Sequence, residues 1–169
     1  MNVSSSGTHG NGPPGGPRFD AGTQRLMARL AEDIGLRHLF HHAAIFLYDP
    51  TVDQLRLVGQ RWGAGEDTGA VVAGEWLIGL DGVCGRVFRT GEPALLPDVR
   101  LDPDYKTFPG GRTRSELAVL IRIEGQPVGV VNVESPRVGE YTVHDLEALE
   151  AWAATIGPLL AAHDAASPD

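Results

Sequence analysis

The sequence SELAVLIRIEGQPVGVVNVE, residues 115–134, decides the fold of this chain. Two runs rich in Val, Ile and Leu flank Glu124-Gly125, and a glycine accepts the positive φ that a two-residue hairpin turn requires. The pattern predicts two antiparallel strands, at 115–123 and 126–134. The segments before and after this hairpin are expected to complete an antiparallel sheet with helices packed on it.

Further strands are predicted before this hairpin. The apolar runs at 43–48 and 54–58 flank an Asp49-Pro50 turn and predict a first hairpin. Apolar residues between glycines predict another strand near 75–80, and 93–96 is a short strand candidate. Together with the central hairpin, these segments give five or six strands.

Two long amphipathic helices are predicted at the ends of the domain. The first has Asp20 as its N-cap and Gly35 as its C-terminal stop. The second begins near Val143, with Thr142 as its N-cap, and presents one apolar face. Pro158 is expected to kink this helix or to end it early, because proline lacks the N–H that continues the helical ladder.

A short helix and a long loop precede the central hairpin. Asp81 is expected to cap the helix, which starts at Gly82, and Gly91 lies where a left-handed C-terminal residue belongs. Residues 97–114 then form a stretch longer than the about 12 to 15 residues that are usual for a structureless loop. Such loops are often binding elements, so this one is predicted to be a lid over a ligand.

Composition and charge restrict the class of function. The chain of 169 residues is 42% hydrophobic and 21% charged, which suits one globular core. A formal net charge of −8 argues against nucleic acid and anionic membranes as partners. No signal-like start and no run of about 18 apolar residues are present, so we expect a cytoplasmic protein. A single cysteine excludes an internal disulfide and a Cys-based zinc site of the four-ligand kind.

The domain organisation follows from changes in composition along the chain. Residues 1–18 are rich in Gly, Pro and Ser and predict a flexible leader. Residues 19–164 predict one globular domain, and 165–169 are a short tail. No function is predicted for the leader.

Several motifs of this sequence together resemble those of the GAF domain family. They are Gly82-Val83-Cys84-Gly85-Arg86-Val87, Thr90-Gly91-Glu92-Pro93, Asp98-Val99, Arg114-Ser115-Glu116-Leu117 and the run GQPVGVVNVES from Gly125 to Ser135. The resemblance covers residues 20–163 and implies an α+β fold. In that fold a five- or six-stranded antiparallel sheet carries the N- and C-terminal helices on one face and a loop-covered pocket on the other.

The same resemblance implies what such a domain does. Members of the family bind cyclic nucleotides, tetrapyrroles, haem or small metabolites, or hold partner proteins together, and they form homodimers through the helical side. For this chain the resemblance implies a sensory or regulatory protein that binds a small molecule and signals to a partner protein. The residues identify neither the ligand nor a cofactor.

One branch of the family, the free methionine-(R)-sulfoxide reductases, is similar to this sequence in more detail. Cys84 matches a cysteine of that branch, and Phe108-Pro109-Gly110 and Ser115-Glu116 match segments that flank its active site. The paired aspartates of the branch are replaced by Asn132 and Glu134. The reductase reaction needs an attacking thiolate and a second thiol that resolves the product, and this chain has one cysteine. A reductase is therefore an alternative, as is a pure dimerisation module with a filled core.

Eight side chains are candidates for the ligand site. They are Trp62, Trp76, Cys84, Tyr105, Phe108, Glu116, Asn132 and Glu134. The aromatic side chains could form a wall around a flat or sulfur-containing ligand, or the tryptophans could belong to the core. The carboxyl and amide groups could bind an ammonium or hydroxyl group, or they could be solvated strand ends.

The strand register decides whether the three polar candidates share one pocket. A regular two-residue turn at Glu124-Gly125 pairs Glu116 with Val133 and places Asn132 and Glu134 on the other face. Only a bulge or a strand end that changes the register brings the three together.

Cys84 is a candidate for redox chemistry because it lies near a helix N-terminus, where the dipole stabilises a thiolate. The favoured interpretation is instead a small packing residue, since the nearby Asp81 opposes formation of a thiolate.

Two groups of charged or titratable residues complete the candidates. The histidines near the first strand lack a cysteine or acidic neighbour, so no metal site is predicted for them; they are His38, His41 and His42. The basic residues of the long loop could receive a phosphate or carboxylate, or they could be solvated; they are Arg100, Lys106, Arg112 and Arg114.

Overall fold

A computed structural model describes residues 17–63, 71–107 and 111–167 of the chain. Within these residues a six-stranded antiparallel sheet is combined with three α-helices, which confirms the predicted α+β fold. The helices are α1 Ala21–His38, α2 Val83–Thr90 and α3 Val143–Ala166. The strands are β1 His42–Asp49, β2 Gln54–Trp62, β3 Leu77–Ile78, β4 Ala94–Leu96, β5 Ser115–Ile123 and β6 Gln126–Ser135, in the sheet order β3-β2-β1-β6-β5-β4. Most of the predicted leader and Phe108 of the predicted lid lie outside the described residues.

The sheet separates two apolar cores. On one face, Leu117 and Val119 of β5 are packed in the core that α1 and α3 cover. On the other face, Ala118 and Leu120 of the same strand are packed in a second core under α2. Alternate residues of a strand point to opposite faces, so the two terminal helices share one face and α2 lies on the other, as predicted.

Helix α1 confirms its predicted start and corrects its predicted end. The Asp20 carboxylate accepts a hydrogen bond from the Thr23 N–H at 2.7 Å. Gly35 does not stop the helix, which continues to His38 and ends at Leu39 with φ 56. A Cβ at Gly35 would lie 2.4 Å from Cδ of Arg61, so this glycine allows close packing of α1 on β2.

Helix α2 has a different N-cap from the one predicted. Gly82 occupies the N-cap position without a side-chain hydrogen bond, and the Asp81 carboxylate forms an ion pair with Lys106. The carboxylate that was expected to cap the helix thus binds a lysine of the loop instead. Gly91 has φ 77 at the C-terminal end, as predicted.

Helix α3 begins as predicted but does not end early. Thr142 and Asp145 form a capping box, in which the Thr142 N–H donates to the Asp145 carboxylate at 2.7 Å. The helix continues past Pro158 to Ala166. Pro158 and Ala154, four residues before it, are both exposed, so water can reach the carbonyl group that proline leaves without a partner. None of the described helices is long and apolar enough to cross a membrane.

The short elements around the lid differ in length from the prediction. The strand expected at 75–80 is reduced to the two residues of β3. The predicted lid is not wholly irregular, because Val99–Leu101 form a turn of 3-10 helix. The Asp98 carboxylate caps this turn by accepting from the Arg100 N–H at 3.1 Å.

The central hairpin contains a β-bulge. Arg122 pairs with Pro127 next to the turn, but Ile121 pairs with Gly129, so Val128 is an extra residue in β6. Proline cannot donate a ladder hydrogen bond and is found in sheets mainly at edges and bulges. Beyond Val128 the register of the hairpin is shifted by one residue.

The bulge overturns the regular register. Glu116 pairs with Glu134 and not with Val133, and Asn132 pairs with Ala118. Because directly paired residues point to the same face of a sheet, Glu116, Asn132 and Glu134 share one face. The pairing predicted for a regular turn is therefore wrong. A bulge that changes the register was required to bring the three residues together, and it is present.

Candidate functional site

A cavity of about 240 Å³ lies on the face of the sheet opposite α1 and α3. Side chains of β1, β2, β5 and β6 line it together with the start of α2 and residues 105–107 of the long loop. The cavity collects seven of the eight predicted side chains, namely Trp62, Trp76, Cys84, Tyr105, Glu116, Asn132 and Glu134. The loop-covered pocket expected on this face is therefore present.

Four buried residues form what we call the polar floor of the cavity. These residues are Cys84, Glu116, Asn132 and Glu134, each less than a tenth exposed. Oε1 of Glu116 accepts a hydrogen bond from Asn132 Nδ2 at 3.2 Å and one from Cys84 Sγ at 3.5 Å. Glu116 thus connects Asn132 and Cys84 within the floor.

The two carboxyl groups of the floor share an apolar environment. Burial, and then the charge of Glu134, raise the pKa of Glu116 to about 8. Glu116 therefore carries a proton at neutral pH. This proton avoids the strong repulsion that two ionised carboxylates would have side by side in this environment.

Asn132 lines the cavity and has an unused, buried acceptor. Its Nδ2 donates to Glu116, but among the described residues Oδ1 has no hydrogen-bond partner and is buried. A buried acceptor without a donor costs about 1–3 kcal/mol. A ligand that brings an N–H or O–H group to this oxygen would offset that cost.

His42 connects the polar floor to the aromatic side chain of Trp62, a role that the sequence did not indicate. Its Nδ1 lies 3.3 Å from Oε2 of Glu134, and its Nε2 lies 3.3 Å from Oε1 of Gln60. The ring stacks on Trp62 at a centroid distance of 3.8 Å. The alternation of side chains along β1 could have placed His42 in the cavity, because His42 and Phe46 lie on the same face as the other lining residues.

The other histidines lie away from the cavity. His38 accepts a hydrogen bond from Trp152 Nε1 at 2.9 Å, and His41 contacts the edge of Trp62. In the described ranges, no group of three or more His, Cys, Asp or Glu residues could hold a metal ion.

Three basic residues of the long loop have partners within the described part of the chain. Arg100 pairs with Asp98 at 2.6 Å, and Lys106 reaches the cavity while its amine pairs with Asp81. Arg114 donates to the Thr113 carbonyl at 3.1 Å. These contacts favour structural roles within the loop over a shared phosphate or carboxylate site.

Cys84 is kept in the thiol form, although not for the expected reason. Burial, followed by the charges of Glu116 and Glu134, raises the pKa of the Cys84 thiol well above its ordinary value. Asp81, which was expected to oppose the thiolate, is turned toward Lys106. The protonated thiol donates to Glu116 and packs between α2 and the sheet.

Arg86 fastens the long loop to α2. Its guanidinium donates to both oxygens of Asp102, at 3.1 and 2.7 Å, and to Asp104 at 2.5 Å. A forked contact of this kind fixes direction as well as distance. The loop residues that line the cavity follow directly after these two aspartates.

Replacing Arg86 by alanine is expected to loosen the loop without unfolding the domain. The backbone amides of Asp104 and Tyr105, which both hydrogen-bond to Asp102, should exchange about tenfold faster in hydrogen-exchange measurements. Global stability should fall by about 1 kcal/mol, because the contact is partly exposed. Arg89→Ala on the same helix is the matched control and should leave these amides unchanged. Unchanged exchange in the Arg86 variant would contradict the anchoring role.

Comparison with known proteins gives the family of this chain. The family model described as GAF domain matches residues 19–161. The chain belongs to the GAF domain family. The motifs from Gly82 to Ser135 therefore indicated the correct family.

Solved structures of other proteins share the fold. The free methionine-R-sulfoxide reductase of Neisseria meningitidis, solved with its substrate, has a TM-score of 0.74 at 21% identity, covering 89% of this chain and 83% of that chain. A methyl-accepting chemotaxis protein, residues 122 to 287, has a TM-score of 0.70 at 18% identity, covering 90% of this chain and 95% of that chain. At these identities the likeness concerns the fold, which enzymes and sensory proteins share.

A curated relative is similar over a shorter segment. Protein YtsP of Bacillus subtilis (strain 168) is 30% identical over 80 residues, which is 47% of this chain. The aligned segment spans 48% of the length of YtsP, or about half of that protein.

Proposed function

We propose that this GAF protein is a sensory or regulatory domain that binds a small molecule in the cavity under residues 97–114. The observation that carries the proposal is Asn132, which lines the cavity and whose buried Oδ1 has no partner in the described part of the chain. A filled apolar core would satisfy or exclude such a group. A cavity with a polar floor and aromatic walls is the usual form of a small-molecule site.

The dimensions of the cavity favour a small metabolite. An open volume of about 240 Å³ lies just below the range of about 300–1,000 Å³ that is usual for small-molecule pockets. The same open volume argues against a pure dimerisation module with a filled core.

A reductase of the methionine sulfoxide type is less well supported. Its cycle requires a thiolate and a resolving thiol, whereas the one cysteine of this chain is a buried thiol with a raised pKa. We expect no turnover of free methionine-(R)-sulfoxide with a thioredoxin system. Sustained turnover that is lost in Cys84→Ser would replace the sensory proposal by the enzymatic one.

The signal is proposed to pass through the helical face of the sheet to a second copy and a partner protein in the cytoplasm. Helices α1 and α3 pack side by side on that face, and the Trp152 to His38 hydrogen bond joins them. Leu36 and Leu159 of these helices are 51% and 40% exposed, which suits a helix-mediated homodimer. A ligand that alters the sheet or the loop would then change the packing of these helices.

Native mass spectrometry of the protein purified from its own cells tests ligand binding. We expect a mass greater than that of the bare protein, and release of a small molecule on denaturation. Asn132→Leu removes the unused acceptor at nearly constant volume and should lose the extra mass, whereas the exposed variant Glu92→Gln should keep it. A bare mass in the natural protein, together with no thermal shift from a metabolite library, would overturn the proposal.

A further inference from the structure

We infer that the ligand is a small organic cation that carries at least one N–H or O–H donor, with its positive charge near Glu134 and its carbon atoms against the aromatic wall. The inference rests on the proposed function, because it names the class of ligand for the same cavity. It follows from three independent features of the site.

The first feature is the sign of the charge inside the cavity. Glu134 is 7% exposed and lies beside the neutral carboxyl group of Glu116. Among the described lining residues, Lys106 is the one Lys or Arg, and its charge is paired with Asp81 outside the floor. A buried carboxylate is costly unless a positive group approaches it, and attraction between charges is strong where water is excluded.

His42 pairs with one oxygen of this carboxylate, as an ion pair when its imidazole is protonated, and among the described residues no hydrogen bond reaches Oε1 of Glu134. Its Nδ1 contacts Oε2 of Glu134 at 3.3 Å, which orients the carboxylate, while the stacking on Trp62 holds the imidazole at the side of the cavity. A hydrogen-bond donor that orients a carboxylate leaves its further lone pairs available to a ligand.

The second feature is the unused oxygen of Asn132. One N–H of the amide donates to Glu116 at 3.2 Å, whereas the oxygen has no donor in the described part of the chain and remains an acceptor. An acceptor without a donor selects N–H and O–H groups and rejects carbonyl or carboxylate oxygens. The acceptor and the carboxylate of Glu134 therefore favour the same kind of ligand atom.

The third feature is the aromatic wall. Trp62, Trp76, Tyr105 and Phe46 line the same volume as the polar floor. Aromatic rings attract ammonium groups through their quadrupole, most strongly where the site is desolvated, and such rings with a carboxylate are a recurring way to bind methylated ammonium. A neutral ligand would gain the apolar contact but not this attraction.

Two pairs of probes separate charge from shape. Choline is compared with the neutral alcohol in which a quaternary carbon replaces its nitrogen, and isopentylammonium is compared with isopentanol. Every probe has a donor for Asn132, and the members of a pair differ in charge. By isothermal titration of the full chain we expect at least one cation to bind about tenfold or more tightly than its neutral partner, since 1.4 kcal/mol corresponds to a tenfold ratio.

Two variants test which residues cause the preference for the cation over the alcohol. Glu134→Gln keeps the shape of the side chain but removes its charge and should reduce the ratio between cation and alcohol to about one. Trp76→Leu should reduce the same ratio while circular dichroism shows the natural fold. Glu92→Gln, an exposed carboxyl at the end of α2, serves as the control and should keep the full preference.

The outcomes distinguish this inference from the proposed function. Equal binding within both pairs, or tighter binding of the alcohols, would overturn the cationic class. Absence of binding by all four probes would overturn it as well. The retained mass in native spectrometry is independent of these probes, so a protein that keeps a neutral molecule would support the ligand-binding function and refute the cation.

Discussion

Replacement of Gly157 by alanine is expected to destabilise the protein by about 3 kcal/mol, although the same change stabilises most helices. An added Cβ at this position of α3 would lie 1.9 Å from the carbonyl oxygen of Arg122 and 3.0 Å from its carbonyl carbon. Both atoms belong to the backbone of β5, which cannot move aside as a side chain can. The helix would have to leave the sheet by an ångström or more, and the core between them would lose its contacts.

Urea denaturation followed by circular dichroism measures this effect. The matched control is Gly22→Ala in α1, where the added Cβ would meet the ring of His163 at 2.9 Å. A terminal ring can rotate away, so the control should change the free energy of unfolding by less than about 1 kcal/mol. Equal effects of the two substitutions would show that α3 does not depend on close approach at Gly157.

Replacement of Glu116 by glutamine is expected to stabilise the protein more at pH 8 than at pH 6. The gain in the free energy of unfolding should be larger at pH 8 by about 2 kcal/mol. The folded protein holds the pKa of Glu116 at about 8, far above the ordinary value of 4.5, because the carboxyl is buried beside Glu134. Below about pH 4.5 the carboxyl group of Glu116 is protonated in both the folded and the unfolded state, and its contribution to stability is fully present. Above that pH the unfolded chain releases the proton first, so the natural protein loses stability until the folded group also ionises.

Glutamine removes this titration and keeps the contacts. Its side-chain oxygen can still accept from Asn132 and Cys84, while its N–H₂ group can donate to Glu134. Thermal unfolding of both proteins across the pH range gives the difference, in which other titrating groups largely cancel. The exposed Glu92→Gln is the control and should follow the natural protein at every pH.

Several titratable groups around Glu116 belong to this pH response. They are Glu134 on β6, His42 on β1, Cys84 on α2, and Asp102, Tyr105 and Lys106 in the long loop. Burial, and then the charge of Glu134, raise the pKa of Tyr105. Burial, followed by Glu116 and Glu134, raises the pKa of the Cys84 thiol. Both side chains therefore ionise only above the pKa of Glu116. If the stability difference between the two proteins were the same at pH 6 and pH 8, Glu116 would be ionised in the folded protein throughout that range.

Local patterns predicted the position of most elements. The turn at Glu124-Gly125, the caps at Asp20 and Thr142 and the stop at Gly91 act through neighbouring residues, and all of them are present as predicted. Local patterns failed where a distant residue competes. Lys106 takes the carboxylate of Asp81 away from the helix that it was expected to cap.

The candidate site was predicted by residue type but not by geometry. Aromatic side chains, and the cysteine, carboxyl and amide groups within the motifs, indicated the seven lining residues that the structure describes. His42 was considered only as a metal ligand, because its partners Glu134 and Gln60 are far away in the sequence. Its role depends on the pairing of β1 with both β2 and β6.

The sequence by itself determined the α+β class, the hairpin at its centre and the GAF family, because periodicity, turn residues and contiguous motifs are local properties. Only the tertiary structure decided that Glu116, Asn132 and Glu134 face one cavity. That outcome depends on a single extra residue, Val128, since a shift of one residue reverses the face of every side chain beyond it. Gly129, which follows the extra residue, approaches the backbone of Phe46 closely, and such contacts across the sheet exist only once the strands are paired.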